Sequence, residues 1–448
     1  MTEPEETPEN PFPVTGSIPI IRGDSEAEPE APVSPGKEVS GPRGGLWLFI
    51  VLAGGIFAAM TAPGQTAGLS PFTDPLIDTL SIDRTSLSVS YLIATLAGAA
   101  TMPIVGRMVD KFGAKIAIGW ITVGFVAVLV GISFVTNIFG LTAGYVGLRM
   151  FGQGALTLAA TTLVARLITH RSGLALGIAG AIGAGGISLA PVGVERLIAW
   201  SDIATAWRIE AVIVAVIVLP LVLLLPRDRP QTHTDTGTLI VAAPETGHTA
   251  AFATRTLMFW VFTGAGFAVG MMSTGMAFHL ISLLGQQGLT TVEAASNFIP
   301  QTVAALLGTL ALGAIVDRTD PRVGVVLSML ALAGSMVVLP FVTPGVVAVM
   351  FGVLLGLSQG ALRGVEAAGF VRYFGREHIG SIRGIATGVG LASTALGPLY
   401  YAIGLQISGS YVPVSVWGAT LPLAVIVLAL MAKAPQPFDD ETTRAISG

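Results

Sequence analysis

Between residues 46 and 432 the sequence alternates long apolar runs with short polar joints. Twelve runs occur, near 46–69, 85–108, 114–136, 139–167, 173–198, 206–225, 254–284, 292–315, 322–343, 345–371, 380–406 and 412–432. A helix needs about 20 apolar residues to cross the roughly 30 Å hydrocarbon core of a bilayer. Lipid offers the backbone no hydrogen-bond partner, so a segment of this length that faces it must satisfy its own N–H and C=O groups as a helix. The chain is therefore expected to be an all-α membrane protein with twelve transmembrane helices. Charged residues make up only 11% of it, against about 25% in soluble domains.

Several chemistries are excluded at once. The chain has no cysteine and only five histidines, so disulfides, thiolate metal sites and thiol nucleophiles are out. No HExxH or Walker-type GxxxxGK(S/T) stretch occurs, and the one GxSxG, Gly356 to Gly360, lies inside the apolar run 345–371, so neither an enzyme nor an ATP-driven pump is expected. We expect no cofactor, no metal and no nucleic-acid partner. Residues 1–40 carry nine acidic side chains against Arg22 and Lys37, a net of −7, which leaves +3 for the rest of the chain. A Pro- and Glu-rich tail of that kind is expected to stay disordered, because it has too little apolar surface to offset its ordering entropy. No secretory signal is expected ahead of the first long apolar run.

Lys and Arg set the orientation. With the amino terminus inside, the inner joints hold Arg107, Lys111, Lys115, Arg171, Arg227, Arg229, Arg255, Arg318, Arg322, Arg372, Arg376 and Arg383. The outer joints hold Arg84, Arg196 and Arg208. Both termini are expected in the cytoplasm of a cell whose inner (plasma) membrane the chain crosses many times. The expected division is a tail 1–44, a first bundle 45–225, a linker 226–253, a second bundle 254–433 and a tail 434–448.

The two halves repeat each other. Gly106 and Gly313, Asp110 and Asp317, and Lys115 and Arg322 all stand 207 residues apart. The tetrapeptide QGAL at 153–156 returns at 359–362, and Arg166 pairs with Arg372 at the same 206 spacing. Gly173/Gly380, Gly177/Gly384, Gly183/Gly390 and Pro191/Pro398 resume the spacing of 207. This is a parallel duplication, predicting two pseudo-symmetric six-helix bundles.

The joint GRMVDKFGAK (106–115) and its counterpart GAIVDRTDPR (313–322) have a physical role available. An aspartate at the end of segment 2 or 8 accepts backbone N–H groups at a helix start in the opposite half. Asp110 would face the start of segment 11 and Asp317 that of segment 5. We expect Gly106, Asp110, Lys111, Gly113, Asp317 and Arg318 to form a gate. The cations also satisfy the inside-positive pattern without any gating role. At these residues the chain resembles the major facilitator superfamily. GRMVDKFGAK is similar to that family's loop between helices 2 and 3, with Gly106, Asp110 and Gly113 in the matching places. GAIVDRTDPR is its degenerate copy, with Asp320 where the second glycine would be. RMFGQGA (149–155) is similar to the helix 4 signature, with one residue more between Arg149 and Gln153. The resemblance covers about 45–433. It implies twelve helices, a central cavity lined by helices 1, 4, 7 and 10, and alternating access by rocking of the halves. YFGREHIGSIRG (373–384) resembles bacterial relatives of monocarboxylate and oxalate/formate transporters, although the arginine those families carry in helix 8 is absent between Thr291 and Val316. GISLAPVG in segment 5 partly matches an antiporter signature, with Ala190 replacing a glycine.

An ionisable side chain at the bilayer centre costs about 2.5–3.5 kcal/mol on insertion scales, so it needs a partner or a purpose. Arg149, His279, Arg363 and Glu366 are such groups. Gln359, Arg363 and Glu366 share one face of segment 10, and Arg149, Gln153 and Thr157 one face of segment 4. The repeat makes the two faces equivalent, and they are expected to meet across the cavity. A guanidinium offers a carboxylate two parallel hydrogen bonds and keeps its charge, so Arg149 and Arg363 suit an anion. Arg363 and Glu366 could instead neutralise each other. Glu366 could carry a proton, and His279 could be a gate, a packing residue or part of the site. In APGQTAG (62–68), Pro63 and Gly64 weaken segment 1 and Gln65 supplies a donor and an acceptor.

The expected function is secondary active transport of a small organic anion, monocarboxylate-like, driven by a proton or a counter-substrate. Efflux of drugs or metabolites is the alternative, and a non-transporting receptor a third. The expected partners are a small-molecule substrate, the coupling species and the lipid bilayer, with the chain acting as a monomer.

Overall fold

The computed structural model describes residues 44–168, 171–226, 247–316, 318–375 and 378–433. Asp317, the acidic tail to residue 43, most of the 226–253 linker and the 434–448 tail lie outside the described residues. Among the described residues the regular secondary structure is helical, apart from an isolated bridge between Gly247 and Gly375.

In chain order the spans are α1 (Gly45–Ala59), α2 (Arg84–Phe112), α3 (Ala114–Ile132), α4 (138–167), α5 (Ser172–Trp200) and α6 (Ile203–Leu224). The second half supplies α7 (Leu257–Phe278), α8 (Phe298–Val316, after a short turn Thr291–Ser296), α9 (Pro321–Val338), α10 (Val346–Phe374), α11 (Ile379–Ser408) and α12 (411–431, in two pieces). Among the described residues eleven of these helices are long and apolar enough to cross a membrane. The twelfth span is α4, whose middle, Arg149–Leu156, is a π-helix. A π turn absorbs one residue more than a regular turn. It falls on the stretch where Arg149 and Gln153 are one residue further apart than the family pattern.

Polar residues at the joints work as caps. Asp83 opens α2 by accepting from Ser86 N at 2.6 Å, and Asp202 opens α6 by accepting from Thr205 N at 2.9 Å. Asn137 does the same for α4, at 2.9 Å from Gly140 N. Gly113 ends α2 with φ of 83°, a conformation that an L side chain resists. Its degenerate counterpart is solved differently. Asp320 keeps a negative φ and caps α9, accepting from Arg322 N at 2.9 Å and from Arg322 Nε at 2.9 Å. Tyr373 on α10 donates to the same carboxylate.

Each half has its own apolar core. One gathers Phe57, Tyr91, Phe125, Tyr145 and Trp207, the other Phe259, Phe262, Met329, Phe351 and Tyr401. Outside these cores large apolar side chains face outwards, among them Trp120, Leu223, Leu310 and Leu430. Such a surface belongs in lipid. Backbones approach closely where glycines allow it. A methyl group at Gly356 or Gly360 of α10 would lie 2.0 Å from a carbonyl of α8, as small-residue packing between membrane helices requires.

The halves meet through pairs that the duplication relates, α2 with α11 and α5 with α8. The α2–α11 pairing is the one expected from the position of Asp110. Its described hydrogen bond, Thr85 Oγ1 to Gln406 Oε1 at 3.3 Å, lies at the opposite end of the helices from Asp110.

The Asp320 cap makes a stability prediction. Partial burial raises this carboxyl, but hydrogen bonds from Arg322 and Tyr373 outweigh it and hold the group at about 2, below its ordinary 3.8. Asp320→Ala should lower the thermal midpoint in detergent, at a cost of about 1 kcal/mol. Because the folded value lies below the unfolded one, this contribution is complete above about pH 4 and fades as pH falls toward 2. An unchanged midpoint at pH 7 would contradict the assignment.

Candidate functional site

Helix α1 does not run straight through the membrane. It stops at Ala59, turns through a 3₁₀ step at Ala62–Gly64 and resumes at Thr66–Leu69. Pro63 has no N–H to donate, and the turn leaves carbonyls that no helix ladder uses. Arg149 on α4 answers one of them. Its Nη1 lies 3.3 Å from the Gly64 carbonyl oxygen and 3.3 Å from Thr66 Oγ1. The Tyr91 ring covers the guanidinium at 4.7 Å, and Tyr91 hydroxyl pairs with Thr66 Oγ1 at 2.7 Å. Arg149 is only 2% exposed and its Nε has no partner.

The rest of that α4 face also meets α1. Gln65 Nε2 reaches Thr61 Oγ1 at 3.0 Å and Thr157 Oγ1 at 3.5 Å. Gln153 lies between Arg149 and Thr157 on the π segment, half-buried. The contact is tight: a methyl group at Gly64 would fall 2.3 Å from the Leu148 carbonyl oxygen and 2.8 Å from Gly152 Cα. The face of α4 that was expected to meet α10 across a cavity is thus covered by the broken part of α1, and Gln65 and Thr66 stand in front of it.

The cavity lies between the halves. A space of about 340 Å³ is lined by Gln65 and Thr66 of α1, Ala184 of α5, Ser273 and Thr274 of α7, Gln301 and Thr309 of α8, and Gln359 and Arg363 of α10. A second space of about 400 Å³ adjoins it through the shared Ser273, Thr274, Gln359 and Arg363. That space adds Glu366, Arg383 and Thr387. The α10 stripe therefore lines the cavity as a unit. Arg363 Nε bonds back to the Gln359 carbonyl at 3.3 Å, while its guanidinium tip remains exposed. Among the described residues the ion pairs are Arg84–Asp74 and Arg322–Asp320. Arg363 and Glu366 do not form one with each other, although they share a wall.

His279 sits elsewhere. It is fully buried at the end where the halves touch. Its Nε2 is 3.0 Å from the Pro398 carbonyl oxygen, which only accepts, so Nε2 carries the proton. Nδ1 then accepts from Arg84 Nη1 of the other half at 3.4 Å, and Ser88 Oγ lies 3.5 Å from Nε2. Asp74 holds the same arginine. Among the expected gate residues, Gly113 takes the positive φ described above and Gly106 stands in open space. Lys111 is exposed, over the Phe112 ring, and Arg318 is exposed at the start of its joint. The Asp110 side chain and the whole of Asp317 lie outside the described residues.

Sequence reasoning overlooked several residues. Gln301, Ala305 and Thr309 follow the same four-residue period on α8 as the stripes recognised on α4 and α10. Arg383 was counted only as a joint cation, although it falls inside the 380–406 segment; on α11, which begins at Ile379, it lines the cavity wall. Glu195 and Glu210, inside predicted membrane segments, were passed over. They are 8% and 7% exposed.

A helical membrane protein of two repeats, closed at one end and enclosing a polar cavity between them, has the layout of a solute carrier. Residues 48–398 match the Major Facilitator Superfamily, and the chain belongs to that family. It is 24% identical over 396 residues to an MFS-type transporter of Aspergillus fumigatus, covering 84% of this chain and 87% of that one. Two solved structures share the fold at 16% identity. A bacterial homolog of the human lysosomal transporter Spinster gives a TM-score of 0.65 over 87% of this chain and 96% of its own. The nucleoside transporter NupG gives 0.67 over 86% and 99%.

The α1–α4 contact is directly testable. Gly64→Ala should cost about 1–3 kcal/mol, seen as a lower thermal midpoint. Gly185→Ala should leave the midpoint unchanged, because a methyl group there meets nothing within 4 Å. Equal midpoints for the two variants would refute the packing described.

Proposed function

We propose that the chain is a secondary active transporter for a small organic anion of the monocarboxylate kind, working by alternating access with a proton or a counter-substrate as the coupling species. The observation that carries this reading is Arg363. It presents a guanidinium to the cavity between the halves, beside Gln359 and Gln301, with no carboxylate paired to it among the described residues. An unpaired guanidinium at membrane depth is costly unless water or a ligand reaches it, and a carboxylate fits its planar fork with two parallel hydrogen bonds. Arg383 adds a second positive charge to the adjoining space.

Glu366 is the residue we assign to proton coupling. It faces the same space as Arg363 and Arg383, so its charge state and the presence of an anion are electrostatically linked. Gln65 and Thr66 hold the substrate from the first half, and Arg149 acts behind them by fixing the α1 turn. His279, Arg84 and Ser88 form the closed gate, which we place on the outer side, with both termini in the cytoplasm. Gly106, Asp110, Lys111, Gly113, Asp317 and Arg318 form the gate of the opposite side. Export of amphipathic cations is less well served, because the carboxylate of this cavity shares its space with two guanidinium groups.

Uptake assays decide the matter. Arg363→Ala should reduce carboxylate uptake by about 100-fold while insertion and thermal midpoint are kept. Arg363→Lys should retain a small fraction, because an ammonium keeps the charge and loses the fork. A carboxylate screen should raise the wild-type midpoint and not that of Arg363→Ala. Undiminished uptake by Arg363→Ala would overturn the anion reading.

A further inference from the structure

Away from the central cavity, α1, α5 and α6 enclose a chamber of about 470 Å³. Its wall is made of apolar side chains such as Met60, Pro63, Leu189, Leu197 and Ile213, with a single ionisable group, Glu210. Glu210 is 7% exposed, and one of its carboxyl oxygens is buried without a hydrogen-bond partner. The nearest cation in sequence, Arg208, is turned to Ser133 Oγ at 3.1 Å and to the Phe134 ring at 4.9 Å. We propose that this chamber is a binding site for a lipophilic ammonium ion, with the Glu210 carboxylate as its counter-ion.

Three observations converge on that class of ligand. First, one carboxyl oxygen buried in hydrocarbon without a partner is costly, and the N–H of an ammonium ion would meet that demand. Second, water does not meet it. A buried water needs two to four polar partners, and this wall supplies one ionisable group among apolar carbon. Third, the volume lies in the range of small-molecule sites and suits a carbon body of one or two rings. Leu189 and Ile213, at the rim, are 56% and 43% exposed on the lipid-facing surface, so the way in is from the bilayer. Glu210 lies seven residues along α6 from Ile203, about 10 Å below the helix end. A hydrophobic amine concentrates in the membrane at that depth, whereas a hydrophilic cation stays outside it. The chamber does not share a residue with the two central spaces. The proposal therefore stands independently of the anion reading.

The test uses full-length protein in phosphatidylcholine nanodiscs and two radiolabelled probes, 4-phenylbutylamine and its uncharged N-acetyl derivative. Wild-type protein should bind the amine saturably and at least about tenfold more tightly than the amide, as a charge-assisted bond predicts. Glu210→Gln keeps the shape and should abolish that preference, leaving amide binding in place. Gly193→Leu fills the chamber and should remove binding of both probes while keeping the thermal midpoint; position 193 lines the chamber, and a Cβ there meets nothing within 4 Å. Three outcomes each overturn the proposal: no saturable amine binding by the wild type, equal amine affinity in Glu210→Gln, or amine binding that survives Gly193→Leu.

Discussion

A polar group in hydrocarbon must find its partner within the protein, and the organisation of this molecule follows from that demand. The clearest case is the turn at Pro63–Gly64. Breaking α1 frees a carbonyl at membrane depth, and Arg149 of α4 supplies the missing donor. Tyr91 of α2 then covers the guanidinium and holds Thr66. One break thus ties three helices of the first half together. It also decides which side chains reach the cavity: Gln65 and Thr66 do, and Arg149 does not. Arg363 on α10, which the repeat pairs with Thr157 and not with Arg149, has no such cover and faces open space. The duplicated halves thus carry their arginines at different places of the repeat, one buried against α1 and one open to the cavity.

The same demand shapes the closed end. His279 is buried from solvent, yet both ring nitrogens have partners, one from its own half and one from the other. Bonds of this kind, to a neutral ring, are modest in net free energy. The α2–α11 pair adds Thr85 and Gln406 across the seam. A closure of this kind would suit the alternating access proposed above.

The twelve spans were legible in the sequence because hydrocarbon thickness imposes a length, and the duplication because it left residues at a fixed offset. Two features were not. The π segment at Arg149–Leu156 is a matter of one extra residue inside an unbroken apolar run, and nothing in hydropathy marks it. Its only trace was the misfit to the family spacing. The burial of Arg149 was hidden for a different reason: a face shared along α4 says what points together, and not which neighbour covers it. The α8 stripe of Gln301 and Thr309 was visible in principle, by the period that revealed Gln359 and Arg363. Glu210 was overlooked because the search for charged groups stopped at the helices expected to line the cavity.

Distances between the halves test the central claim most directly, that they swing about a cavity holding Arg363. With no cysteine in the chain, two engineered cysteines carry spin labels without background. One pair joins Thr79 to Gln287 at the closed end, the other Phe112 to Ser381 at the opposite end. A transported carboxylate should lengthen the first distance and shorten the second, and Arg363→Ala should abolish both changes. Saturating carboxylate that binds and moves neither distance would contradict the account.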